Sequence, residues 1–406
     1  MPGHTRQFEV SVGLVKLGWQ VELFASDFNL VLRKYLKPKK LFHLYENVRN
    51  VDVHWLWVIP YKKNNWLRIL NWVSFSTHIA IRLIPYGIYL KIIKKAPDVI
   101  VYSSPQLPAA WISLIISKIL NIPFVAEIRD LWPQVLIDQA GISEDKFLVR
   151  ILKLMEYSIY KNANHVIVLA NGSQKYVREK GCKNVSWLPN GPDLKQFTYS
   201  EQKLHEEYFK LVYFGAHGEA NSLETLIQAA RILETQQIYK YGRKIFIDLV
   251  GDGPEKQSLI REAKGLNNLK FFDPVSKYFV PNLISEANAV IVTLKNINLY
   301  SYGVSPNKLY DAYAIGRPVI TAISGAINDE VEIEGIGLTA LSEDPKGLAK
   351  VIFKISNLDH KTLNEMGMKA RKLAEKRYSR QLVIDKYNSI LNSLIEKKLS
   401  LESEKL

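Results

Sequence analysis

The chain has 406 residues, 47% hydrophobic and 23% charged, the profile of a folded globular protein rather than a disordered, collagenous or disulfide-built one. Its single cysteine, Cys182, excludes an intrachain disulfide and fits a reducing compartment. The net charge of +14 suits an anionic partner; with no nucleic-acid fingerprint in the chain, the choice lies between phosphorylated ligands, anionic lipid and plain solubility.

Met1-Pro2-Gly3-His4 is polar and leads into no apolar segment, so no secretory signal is expected and the cytoplasm is the expected site of action. Phe8–Leu17 reads as a first helix with no strand ahead of it, and Pro2-Gly3 is what remains of the glycine loop that such a helix normally follows. β-Branched runs at Gln20–Ala25, Val51–Val58, Asp98–Tyr102, Pro123–Glu127, His165–Leu169 and Val185–Leu188 predict strands. Helices such as Gln106–Leu120 and Asp145–Asn162 separate them. Alternation of this kind implies right-handed crossovers and a parallel, doubly wound α/β sheet, here with its first strand missing.

The apolar stretch from Trp66 to about Ile93 is interrupted by Arg82, Pro85 and Lys91, which argues against a membrane span. Around it, Trp55, Trp57, Tyr61, Lys62, Lys63, Trp66, Arg68, Trp72, Arg82, Tyr86, Tyr89, Lys91, Lys94 and Lys95 mix aromatic and basic side chains. That mixture reads as an amphipathic surface on the cytoplasmic leaflet of the inner membrane, or as a core helix with snorkelling lysines.

After the turn formers Pro189-Asn190-Gly191-Pro192-Asp193 the pattern restarts. Strands are expected at Lys210–Phe214, Ile245–Val250, Leu269–Phe272, Ala289–Leu294, Pro318–Ala322 and Leu338–Leu341, with helices at Leu223–Leu233, Pro254–Ala263, Asn307–Ala314 and Pro345–Ile355. The domains are therefore set at 1–195 and 205–378, followed by a helix at 379–397. In that last helix Val383, Ile384, Tyr387, Ile390, Leu391, Leu394 and Ile395 form one apolar stripe, which can cover the second sheet or return to the first domain.

Tyr302-Gly303-Val304-Ser305-Pro306-Asn307-Lys308-Leu309-Tyr310-Asp311 carries the most chemistry. Ser305 reads as an N-cap and Pro306 as the first helical residue, leaving free N–H groups for a diphosphate. Lys308 opposes the helix dipole, a placement that a bound anion would justify. Asp311, one turn on, suits ribose hydroxyls. Gly251-Asp252-Gly253-Pro254 and Phe214-Gly215-Ala216-His217-Gly218 end strands with glycine, which permits close backbone approach to a ligand. In the first domain Glu127-Ile128-Arg129-Asp130-Leu131-Trp132-Pro133 ends a strand in charge, so that Arg129 or Asp130 faces a sugar or its acceptor, or forms a structural ion pair. Ser103-Ser104-Pro105, at the preceding strand end, reads as a helix cap or as a further wall of the crevice.

In the order and spacing of Arg129-Asp130-Leu131-Trp132-Pro133, Leu188-Pro189-Asn190-Gly191, Gly251-Asp252-Gly253-Pro254 and Gly303 to Asp311 with Gly316-Arg317-Pro318, the chain resembles the GT-B retaining glycosyltransferases of group 1. O-antigen and capsule N-acetylfucosamine-type transferases are the nearest subgroup. The resemblance implies two facing Rossmann-like domains, a last helix crossing back to the first, and sugar transfer without metal or cofactor. It implies a UDP-sugar donor and a polyprenyl-diphosphate-linked acceptor. By position, Gly251, Asp252 and Gly253 would lie by the base or diphosphate, Ser305, Asn307 and Lys308 would hold the diphosphate, and Asp311 the ribose. Asn190 and Gly215 would join this donor site, Gly3 would cover the diphosphate, and Asp130 and Arg129 would face the reacting sugar. The family's paired glutamates reduce here to Asp311, with Gly303 at the first position. Its usual arginine and lysine fall at Ala216 and Asn221, so Lys308 is left to supply the phosphate charge.

No histidines sit at metal-ligand spacing, and neither a D-x-D pair nor a P-loop is present. Two other readings use the same fold: a sugar-nucleotide 2-epimerase, which needs no acceptor, and an inactive membrane-associated assembly partner.

Overall fold

The computed structural model describes residues 6–29, 33–37, 43–62, 66–139, 141–202, 206–235 and 243–404. The chain forms two compact units, Met1–Pro189 with Val383–Leu406, and Asn190–Leu382.

Unit 1 begins with α1 (Arg6–Lys16), β1 (Glu22–Ser26), the two-residue β2 (Phe28–Asn29) and β3 (Lys34–Tyr35), β4 (His43–Val48) and β5 (Val51–Leu56). It continues through α2 (Trp66–Ile92), β6 (Ile100–Ser103), α3 (Leu107–Leu120), β7 (Phe124–Ile128), α4 (Gln134–Asp138), α5 (Phe147–Asn162), β8 (His165–Val168), α6 (Ser173–Glu179) and β9 (Val185–Trp187). The larger strands form a sheet ordered β1-β5-β4 and a fully parallel one ordered β6-β7-β8-β9. β7 is buried along its whole length, so its sequence reads as a continuous apolar run up to Glu127.

The sequence gives no signal for β4, which pairs antiparallel with β5. Its two-residue turn is Arg49-Asn50, both at positive φ (55° and 63°) as a type I′ hairpin requires. Arginine replaces the glycine or asparagine that would mark such a turn. The aromatic and basic stretch also divides: Trp55, Tyr61 and Trp72 are core residues, whereas Trp66 and Tyr89 are exposed. α2 runs through Pro85 for 27 residues. No helix among the described residues is long and apolar enough to cross a membrane.

Unit 2 alternates strictly: β10 (Tyr208–Ala216), α7 (Leu223–Thr235), β11 (Lys244–Asp252), α8 (Lys256–Glu262), β12 (Leu269–Phe272), α9 (Val280–Ser285), β13 (Ala289–Thr293), α10 (Asn307–Ile315), β14 (Val319–Ala322), α11 (Ala326–Glu334), β15 (Gly337–Ala340), α12 (Pro345–Ser356) and α13 (His360–Leu373). Its six parallel strands are ordered β12-β11-β10-β13-β14-β15. The chain steps outward from β10 to β12, then resumes on β10's other side with β13. The carboxyl ends of β10 and β13 therefore flank the switch point, where doubly wound sheets hold ligands. Below it Leu211, Ile247, Ile291, Leu226 and Ile352 are fully buried between strands and helices; each contributes about 1.5–3 kcal/mol of burial.

The last helix, α14 (Arg380–Ser403), resolves the choice left by its stripe. Val383, Tyr387 and Leu391 pack with Val10, Leu14, Val125 and Leu188 of unit 1. Contact with α1 is close: a Cβ on Gly13 would sit 2.3 Å from the Cδ1 of Ile384.

Candidate functional site

β10 and β11 stay in register to their carboxyl ends, with Gly215 opposite Gly251 and Ala216 opposite Asp252. A Cβ at 251 would lie 1.8 Å from the Gly215 carbonyl oxygen, and one at 253 only 2.2 Å from that of His217. Loop packing alone thus demands glycine at 251 and 253. Gly215 differs: at φ 133° its missing side chain leaves room beside Lys308, whose Nζ would lie 3.5 Å from a Cβ there. Asp252 is exposed and its Oδ1 accepts from the Gly253 N–H at 2.8 Å, which folds the turn on itself. His217 is fully buried. Burial, reinforced by Lys256 and Lys308, pushes its pKa down to about 4, so the ring is neutral.

Lys308 lies in the first turn of α10. Its Nζ donates to the Tyr213 hydroxyl at 2.9 Å and to Asn221 Oδ1 at 3.0 Å, and stands 4.0 Å from the centre of the Tyr213 ring. Among the described residues no carboxylate forms an ion pair with it. Removal from water depresses its pKa to about 7. Tyr213 and Asn221 escape sequence reading because their link to Lys308 spans about ninety residues. Yet Asn221 is the position where the family pattern places a cation, and the structure puts the Lys308 ammonium against it.

Ser305 corrects the sequence expectation. The N-cap of α10 is Pro306, with no side-chain capping bond. The Ser305 hydroxyl instead accepts from the Asn190 N–H at 3.1 Å, while Asn190 Nδ2 donates to the Ser305 carbonyl at 2.9 Å. These two residues pin the start of unit 2 to the loop before α10. Asn307 is exposed at the mouth of the helix. Asp311, one turn on, is buried, and burial raises its pKa to about 7 against the pull of Lys277 and Arg380. Arg317, in the same motif, is fully buried and donates to the carbonyls of Ala287 at 2.8 Å and Ser285 at 2.7 Å, a structural role.

Lys256 was not legible as part of the site. Its Nζ donates to the carbonyls of Gly251 (2.9 Å) and Phe272 (3.1 Å) and to Asp273 Oδ1 (2.9 Å), so it ties the ends of β11 and β12 together. A cleft of about 490 Å³ opens there between Asp252, Lys256, Ile260, Phe271 and Asp273.

In unit 1, Glu127 is buried at the end of β7 among Arg6 (Nε at 3.0 Å), Ser103 (Oγ at 2.7 Å) and Gln7. Burial alone would raise its pKa, but Arg6 and the Ser103 hydrogen bond outweigh it and hold the carboxyl below its ordinary value. Arg129, partly buried, donates its N–H to Ser104 Oγ at 2.8 Å. Ser103 and Ser104 thus tie β6 to β7, and neither caps α3, whose N-cap is Gln106. Asp130 is exposed on the next residue. Gly3 lies outside the described residues.

The matches to known proteins follow this division. Residues 4–191 match the family described as glycosyl transferase 4-like domain, and residues 208–357 the family described as glycosyl transferases group 1. The chain belongs to the group 1 glycosyltransferases. It is 22% identical over 293 residues to the probable glycosyltransferase WbjE of Pseudomonas aeruginosa, covering 68% of this chain and 70% of that protein. It is 26% identical to the capsular polysaccharide biosynthesis glycosyltransferase CapM of Staphylococcus aureus, over 51% of this chain and about half (54%) of CapM. Among solved structures, sucrose-phosphate synthase from Thermosynechococcus elongatus superposes with a TM-score of 0.73 at 18% identity, over 97% of this chain and 94% of that one. HepE of Anabaena, solved in complex with UDP, gives 0.65 at 15% identity over 97% of each chain. These likenesses establish the GT-B fold, with two Rossmann-like domains, for this glycosyltransferase.

Proposed function

We propose that this glycosyltransferase moves a sugar, with retention of configuration, from a UDP-sugar to a polyprenyl-diphosphate-linked saccharide in O-antigen or capsule synthesis, at the cytoplasmic face of the inner membrane. The observation that carries the donor reading is Lys308: a partly buried amine at the sheet's switch point, held, among the described residues, by neutral oxygens and an aromatic face beside the bare backbone of Gly215. A diphosphate there meets the ammonium and the free N–H groups of α10 together. As the bond to the sugar breaks, negative charge grows on the departing phosphate, and a cation already fixed in place stabilises it without reorganising. No metal ion is required of this arrangement. Asp311 accepts from the ribose, and the cleft by Asp252, Lys256 and Asp273 takes the base. Asp130 and Arg129 orient the reacting sugar from unit 1. The polysaccharide enzymes among the relatives support the pathway, and the UDP complex of a protein with this fold supports the nucleotide.

Calorimetric titration with UDP and GDP tests this. UDP is expected to bind, and Lys308→Ala to weaken it by about 1.5–3 kcal/mol, the range for a hydrogen bond to a charged group. Failure of folded wild-type protein to bind UDP would overturn the donor reading.

A further inference from the structure

The outer face of the helical layer formed by α2, α3 and α5 has the wrong composition for water. On α2 the exposed stripe is Trp66 (64% exposed), Ile69 (39%), Val73 (47%), Ile81 (68%), Ile88 (42%) and Ile92 (74%). These residues recur at helical spacing over about 40 Å, at 1.5 Å per residue. A helix on a globular surface normally turns its polar side outward. α5 continues the face with Phe147 (79%) and Leu154 (70%), and α3 with Trp111 and Ile119.

The three helices form one layer. Gly87 of α2 abuts Leu120 of α3, Lys91 Nζ donates to the Ile119 carbonyl at 3.3 Å, and Lys118 Nζ donates to Asn162 Oδ1 at 3.0 Å. The opposite sides of α2 and α3 are spent on the fold: Ile79, Ile116 and Leu120 pack with Leu56 and Ile100 of the strands.

Charge decides the partner. α2 and α3 contain no acidic residue, and the one in α5, Glu156, is buried against Tyr176 and Lys180. Lys91, Lys118, Arg150 and Lys161 stand exposed among the apolar side chains, with Lys94 and Lys95 just beyond α2. The carboxylates lie at its edges: Glu22 and Asp52 beside Tyr86, Asp98 beyond Lys95, and Asp145 and Glu144, which pair with Arg150 and Lys153. A second copy laid on this face would set cations against cations. An anionic bilayer offers the opposite charge, a place for Trp66, Tyr89 and Trp111 at headgroup depth, and an apolar layer for the isoleucines.

We infer that the α2–α3–α5 face seats unit 1 on an anionic lipid surface, with α2 lying in the plane of the interface. The inference deepens the membrane location proposed above, but its support lies in unit 1 alone and is independent of the donor site.

Co-sedimentation of the full chain with vesicles tests it, using phosphatidylcholine alone and phosphatidylcholine mixed with phosphatidylglycerol. Binding to the mixed vesicles, weakened by salt, is expected. The double variant Ile81→Glu/Ile92→Glu, and separately Leu154→Glu on α5, should each cut partitioning by about tenfold or more, as apolar area is withdrawn and like charge added. All these side chains are exposed, so the variants should keep the wild-type melting temperature and UDP affinity. Wild-type protein that ignores both vesicles, or variants that bind as tightly as wild type, would overturn the inference. So would a dimer in analytical ultracentrifugation that the same substitutions abolish, since it would assign the face to a second copy. Vesicle binding without UDP binding would sink the donor reading and leave this one standing.

Discussion

The end of β7 in unit 1 and the meeting of β10 with α10 in unit 2 both withdraw a charge from water, by opposite means. Glu127 is enclosed by Arg6, Ser103 and Gln7, and its carboxyl is held below its ordinary pKa. Lys308 has neutral oxygens for company and is pushed down to about 7. Arg317 sharpens the contrast: among the described residues it too pairs with no carboxylate, but it donates to backbone carbonyls and none of its surface reaches solvent. A charge with its counter-charge or its hydrogen bonds completed belongs to the architecture. One left incomplete beside open backbone retains the capacity to hold a ligand.

The largest expected effect lies in unit 1. Glu127→Gln leaves the Arg6 guanidinium buried without its counter-charge, which should destabilise the protein by about 3–5 kcal/mol in denaturant unfolding. Because the folded pKa of Glu127 lies below its unfolded value, its stabilisation is present above the unfolded pKa and disappears as pH falls through the folded one. A loss under about 1 kcal/mol would break the comparison, since Glu127 would then be no better anchored than a surface pair.

Lys308 should behave in the reverse sense. Its folded pKa, about 7, lies below the ordinary 10.5, so between these values the unfolded chain binds more protons and stability rises with pH. Lys308→Met should therefore preserve or raise stability at neutral pH while it weakens UDP binding. A bound diphosphate restores the charged form, so at pH 8 wild-type protein should take up close to one proton on binding UDP, read from calorimetry in buffers of different ionisation enthalpy. Lys308→Arg should bind without that uptake, because a guanidinium stays protonated. Equal uptake in both proteins would remove Lys308 from the donor site.

The smallest effect concerns the link between Asn190 and Ser305 in unit 2. Ser305→Ala deletes the acceptor for the Asn190 N–H and should cost about 1 kcal/mol in stability. Helicity of α10 should be unchanged, since Ser305 does not cap it.

Regular alternation made the fold readable. The central strands of unit 2, such as β13 and β14, are buried apolar runs, and all six emerge within about two residues of their expected limits. The β4–β5 hairpin was hidden because Arg49-Asn50 carries no glycine. In the site, Lys308, Gly215 and Asp311 were nameable from local grammar, the end of a strand and the start of a helix. Ser305 was misread because the same grammar predicts a cap, while Asn190, 115 residues upstream, claims the hydroxyl. Lys256 was invisible for a related reason: its role depends on Phe272 and Asp273, on the neighbouring strand.

The return of α14 to the core of unit 1 has a consequence for how the chain is made. Unit 2 is continuous and can close its core as soon as residue 382 has left the ribosome, whereas unit 1 waits for Val383, Tyr387 and Leu391. Until then Val10 and Leu14, made well before α14, lack their final cover. A premature stop within α14 would therefore damage unit 1, whose other elements precede unit 2 in the chain, and spare unit 2, which lies nearest the break.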